Sequence, residues 1–161
     1  MVRRFALPEL LFLGLSAVHP QAATVTVVVP TQLQTEQTVF LANGGAPALD
    51  RNDLKGSEIL YTSTYQALAS IARFHMVASP GAATLALVVS LRPNMESQYG
   101  STVGDPLIHL EIYDVKSHML LWVLDDPASD AFGNKQFQKA IDDSMRRIVS
   151  ELNTLGTGKL P

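Results

Sequence analysis

Thr84-Leu-Ala-Leu-Val-Val-Ser-Leu91 is the stretch on which the reading of this chain turns. An almost unbroken apolar run of this length suits a central strand covered on both faces, and Pro93 stops it. Just before it, His75-Met-Val-Ala78 reads as a short strand and Ser79-Pro80-Gly81 as a turn. Further back, Leu60, Tyr61, Thr64, Tyr65, Leu68, Ala69, Ile71 and Ala72 recur at three-to-four spacing. That predicts an amphipathic helix running to Phe74, with Ser57 as its N-cap and Glu58 in its first turn. Residues 46–56 read as loop. Val39-Phe-Leu-Ala42 reads as a short buried strand leaving through Asn43-Gly44-Gly45, where glycine supplies the positive φ of a tight exit.

Downstream, Leu107 to Asp114 alternates, with Leu107, His109, Glu111 and Tyr113 on one face and Ile108, Leu110 and Ile112 on the other. Asp114-Val-Lys-Ser117 makes a turn and His118 to Leu124 returns, an antiparallel hairpin that Asp125-Asp126-Pro127 closes. Phe137, Ile141, Met145, Ile148, Leu152 and Leu155 then mark a second amphipathic helix ending at Gly156. The predicted class is α+β: a mixed sheet of about five strands with two main amphipathic helices, strand-helix-strand first, then hairpins, then the closing helix. Residues 38–156 form a single domain, with 157–161 as a tail and no internal repeat.

Composition narrows the function classes. The 161 residues are 47% apolar and 17% charged, too apolar for a disordered chain. With no Cys there is no disulfide framework, thiol nucleophile or lipid-bearing cysteine. Arg3 and Arg4, the apolar run Leu10 to Val18 and the small residues Ala22 and Ala23 have the layout of a secretory signal over residues 1–22. The apolar run is far shorter than the roughly 20 residues a spanning helix needs, so a cleaved signal is expected and no stable transmembrane span in the mature chain. The net charge of −3 becomes −4 once Arg3, Arg4 and Glu9 are removed, which offers no basic field for nucleic acid. Residues 23–37 form an N-terminal extension in which Val25 to Val29 reads either as an extra strand or as an unpaired tail.

Five segments carry a family resemblance. They are Thr38-Val-Phe-Leu-Ala-Asn-Gly-Gly45, Tyr65-Gln-Ala-Leu-Ala-Ser-Ile-Ala-Arg-Phe74, Ser79-Pro-Gly-Ala-Ala-Thr-Leu-Ala-Leu87, Leu110-Glu-Ile-Tyr-Asp-Val-Lys-Ser-His-Met-Leu-Leu-Trp122 and Asn134-Lys-Gln-Phe-Gln-Lys-Ala-Ile-Asp142. Together they resemble a family of small exported bacterial proteins of unknown function. That group is similar in fold to the amino-terminal domain of the Tol-Pal propeller protein and to outer-membrane activators of peptidoglycan synthases. The resemblance implies a mixed sheet with a few helices serving as an envelope adaptor, in the periplasm or secreted. The chain departs from envelope lipoproteins in lacking the anchoring cysteine.

Candidate chemistry is sparse. Three histidines remain in the mature chain, His75, His109 and His118. His109 and Glu111 share a strand face, but His118 sits by Asp114, away from them, so three metal ligands do not converge and no metal is expected. No Gly-x-Ser-x-Gly elbow is present. Asn43-Gly44-Gly45 lacks the Lys and Ser/Thr of a phosphate loop. Asp125-Asp126 reads as a turn, and Asp142 and Asp143 read as helix pairs to Arg146 and Arg147. No catalytic residue and no cofactor is expected. Four residues stand out for interaction: Met95 and Tyr99 as anchors in the polar connection Asn94 to Pro106, and Tyr61 and Tyr65, one helical turn apart. The expected function is a non-catalytic interaction or adaptor domain with an envelope protein as partner, docking at that loop or by strand addition at a free sheet edge. The alternative is a small-molecule or peptide-binding domain with a pocket between the first helix and the sheet. A hydrolase ranks last.

Overall fold

The apolar run lies at the middle of the sheet in the computed structural model, which describes residues 27–46, 54–93, 106–128 and 134–161. In chain order the elements are β1 (Gln37–Asn43), α1 (Leu54–Ala69), β2 (Phe74–Met76), β3 (Leu85–Arg92), β4 (Leu107–Asp114), β5 (Leu120–Pro127) and α2 (Asn134–Gly156). The sheet order is β2-β1-β3-β4-β5. β1 is parallel to both of its neighbours, and the β3-β4 and β4-β5 pairs are antiparallel. The fold is therefore α+β, a five-stranded mixed sheet with two long helices, as the residue pattern predicts.

Side-chain alternation divides the sheet into two unlike faces. Val39 and Leu41 of β1, Leu85, Leu87, Val89 and Leu91 of β3, and Ile108, Leu110 and Ile112 of β4 are buried in one core with the helices. From α1 this core takes Leu60 and Leu68, and from α2 Phe137, Ile141, Met145, Ile148, Leu152 and Leu155. Ala86 and Val88, on the other side of β3, are only half-buried. Among the described residues both helices pack on one face of β3, while Ala86, Val88 and Ser90 belong to the other, where Ser90 is itself buried.

Several local boundaries also differ. α1 starts at Leu54, so Ser57 is inside the helix rather than its N-cap. Its hydroxyl instead pairs with the Asn43 amide, donating to Oδ1 at 3.0 Å and accepting from Nδ2 at 2.8 Å. The helix ends at Ala69, because Phe74 is taken by β2 pairing with Gln37. The described part of the N-terminal extension contains no strand. Val29 and Leu33 drop into the core around a 3-10 turn at Thr31–Leu33, while Val27 and Val28 face solvent. Arg73 holds this corner, donating from Nε to the Leu33 carbonyl at 3.2 Å and from Nη2 to the Leu152 carbonyl at 2.5 Å. Gly45 does take a positive φ of 86°. The expected signal (1–22) lies outside the described residues, and no helix among those described is long and apolar enough to cross a membrane.

Candidate functional site

The hairpin register builds a polar site on the face opposite the helices. Ser90 of β3 stands beside His109 of β4, and His109 beside Asp125 of β5. The bond from the Ala128 N–H to the Pro106 carbonyl, 2.8 Å, sets the phase of the β4-β5 ladder. By the two-residue alternation of antiparallel strands, Leu124 and Asp126 turn their backbone groups toward β4, and Val123 and Asp125 turn theirs to the free edge. The His109–Asp125 pair is then a non-hydrogen-bonded one, with Cα atoms ~4.5 Å apart and side chains drawn close.

That closeness shows in the contacts. Nδ1 of His109 is 2.5 Å from Asp125 Oδ1, and Nε2 is 3.1 Å from Glu111 Oε1. Glu111 also accepts from Arg92 Nη2 at 3.1 Å and from the Tyr113 hydroxyl at 3.2 Å. Arg92 Nε donates to Ser90 Oγ at 3.3 Å. The hydrogen bond from His109 is the largest of the influences that hold the Glu111 carboxyl below its usual range, with Tyr113, His109 charge and Arg92 adding to it against partial burial. The His109 side chain is 11% exposed and that of Asp125 50%. Both ring nitrogens of His109 face carboxylates, so neither is left to activate a nucleophile, and the hydroxyl beside it, Ser90, is engaged by Arg92. Chemically the cluster is a charge network that fixes side-chain positions.

Asp125 and Asp126 are therefore not a turn; they are the last residues of β5 before Pro127, on opposite faces. The side chain of Asp126 points to the helix side, 8% exposed, and takes three hydrogen bonds from Arg147 of 2.6 to 3.1 Å. This replaces the expected Asp143–Arg147 pair. Arg146 pairs with Asp143 instead, and Asp142 accepts from Ser63 and Gln138. Asp125 as the partner of His109 was missed because Asp-Asp-Pro reads as a strand end. The available signal was the alternation of Val123 and Asp125 with Trp122, Leu124 and Asp126.

The other candidates fall elsewhere. His75 is exposed near Glu36, and His118 sits in the β4-β5 turn at φ 58°. No group of three metal-ligating side chains converges among the described residues. Tyr61 and Tyr65 do stack loosely, ring centroids 6.5 Å apart at 31°, with Tyr61 reaching the Leu41 carbonyl at 3.5 Å. The hollow they border, about 410 Å³, is closed by Thr62 and Gln66, and a second of about 520 Å³ by Glu58, Ile59 and Gln138 among others. These lining residues are all helical. Among the described residues, Leu60, Leu68, Val39 and Leu41 pack together between α1 and the sheet, and the hollow that Tyr61 and Tyr65 border lies on the flank of α1. Met95 and Tyr99 lie outside the described residues.

The strand order leaves two edge strands among the described residues, the three-residue β2 and the eight-residue β5, and β5 is the longer. Among the described residues it has one strand neighbour, β4, and its other edge is free over eight residues. Leu120 and Val123 are exposed along it, and Met119 is exposed just before its start.

No family model and no curated protein matches the sequence. Among solved structures, the chain is similar to the PelC dodecamer from Paraburkholderia phytofirmans, with a TM-score of 0.46 and 10% identity over 78% of this chain and 93% of that one. It is similar to TolB from Acinetobacter baumannii, with a TM-score of 0.45 and 14% identity over 75% of this chain and 28% of TolB. A third is protein XCC0632 from Xanthomonas campestris, TM-score 0.44 and 16% identity, covering 80% and 90%. The family resemblance continues to rest on the residues quoted for it.

Proposed function

We propose that this chain is a non-catalytic exported protein of the cell envelope, an interaction or adaptor domain that holds a partner protein at the free edge of its sheet. The observation that carries the reading is β5: an edge strand of eight residues with exposed apolar side chains. Unpaired backbone donors and acceptors along such an edge are a template for an added strand, and proteins that do not use one blunt it with charge, proline or a cover. Here Asp125, Asp126 and Pro127 stand together at one end of the strand and the register shift at the other, which leaves the stretch around Val123 between them. The histidine cluster supports the non-catalytic half of the reading, since both nitrogens of His109 are spent on carboxylates.

The test is photo-crosslinking in the native host with a photoreactive residue at Val123, compared with the same residue at Thr62 on α1. A discrete protein adduct from Val123, absent from Thr62, supports docking at the edge. Adducts from Thr62 alone place the binding surface on the helix flank and refute it.

A further inference from the structure

The edge is not chemically uniform, and its one prepositioned charge says what the partner carries. Resting on the edge-docking reading, we propose that the docking segment is an extended peptide stretch with a Lys or Arg set against Asp125. Three observations converge on it. First, the phase of the ladder turns the backbone N–H and C=O of Val123 and Asp125 outward, so an added strand bonds at these two residues. Pro127 has no N–H to continue, and the register shift opposite Ile112 and Tyr113 bends the strand above Trp122. The straight part of the ladder is thus short, matched to a segment of about four or five residues rather than to a whole second sheet.

Second, Asp125 is held in place before any partner arrives. His109 binds one carboxylate oxygen and is itself fixed by Glu111, which Arg92 and Tyr113 hold in turn. Oδ2 of Asp125 has no hydrogen-bond partner among the described residues, and the side chain is half exposed. A carboxylate oxygen fixed beside an outward backbone donor is an acceptor aimed at the side chain of an incoming strand, and a cation is what it pairs with. Third, the neighbouring acid offers no competing site, because Asp126 points to the opposite face and is taken by Arg147. A second copy of this chain would bring another Asp125 to the same edge, like charge to like, which favours a basic segment of a different protein.

The experiment titrates the full mature chain, labelled with ¹⁵N, with three capped peptides that alternate Thr and Val around one central residue, which is Lys, Thr or Glu. The Lys peptide is expected to shift the Val123 and Asp125 amides and to bind roughly tenfold more tightly than the Glu peptide, the size of one charge-assisted hydrogen bond at a half-exposed site. In Asp125→Asn, which keeps an acceptor for His109 and removes the charge, the preference for Lys should fall to within about twofold. Equal binding of all three peptides at the β5 amides overturns the basic partner and leaves edge docking standing. Failure of every peptide to move those amides overturns both. Concentration-dependent shifts of the same amides without peptide assign the edge to a second copy and also overturn the proposal.

Discussion

Replacing Arg147 by Met is the sharpest test of how the edge strand is held. Asp126 is 8% exposed in its side chain and receives three hydrogen bonds from Arg147, whose own side chain is 52% exposed. The same guanidinium reaches the Pro127 carbonyl and Ser144 Oγ, and Ser144 donates to that carbonyl, so α2 clamps the end of β5. Breaking a fully buried pair by deleting one partner costs about 3–5 kcal/mol, because a charge is left without compensation. Here the guanidinium is half in water and solvent enters where it leaves, which brings the cost to about 2–3 kcal/mol. For a chain of this size that lowers the melting temperature by about 8 °C. The assay is urea unfolding followed by circular dichroism, with Asp126→Asn and the double variant completing a cycle. The double variant should be more stable than the sum of the single losses implies, by about 1–2 kcal/mol, since it no longer buries an unpaired carboxylate. An Arg147→Met variant within about 0.5 kcal/mol of the parent would refute the clamp.

Leu110→Ala removes a fully buried side chain from the middle of β4 and should cost about 3–4 kcal/mol in the same assay. Gly44→Ala places a Cβ 3.0 Å from both the Val88 Cγ1 and the Val89 carbonyl oxygen. The latter is backbone that cannot step aside, so a loss of about 1–2 kcal/mol is expected, whereas no loss would show that β1 and β3 part easily at that end. The folded state holds the Glu111 carboxyl below its ordinary value of 4.5. Its contribution is therefore complete above that value and is lost as the pH falls through the lower folded one. Urea midpoints measured from pH 6 down to pH 3 should fall less steeply in Glu111→Gln than in the parent; parallel curves would refute the link.

The site on the face opposite the helices was half legible. His109 and Glu111 were placed on one strand face by alternation alone, and the same alternation put Ile108, Leu110 and Ile112 in the core, where they lie. Asp125 was not legible, because Asp-Asp-Pro carries the signature of a turn, and the β4-β5 register overrides it with three more strand residues, Asp125, Asp126 and Pro127. Ser57 misled in the same way: its capping preference is real, but the amide of Asn43, distant in sequence and close in space, takes its hydroxyl. Arg147 had a plausible acid one helical turn away in Asp143, yet it turns to Asp126, whose burial makes an unpaired state costly.

Element type, element order and the turn glycine at Gly45 follow from the sequence by itself, since period, proline and glycine act over a few neighbouring residues. Which carboxylate meets which base, which sheet face the helices pack on, and which strand ends at the edge belong to the tertiary structure. Those depend on register, where a shift of one residue turns every side chain to the other face, and register is set by the turn, the bulge and the packing of the whole sheet.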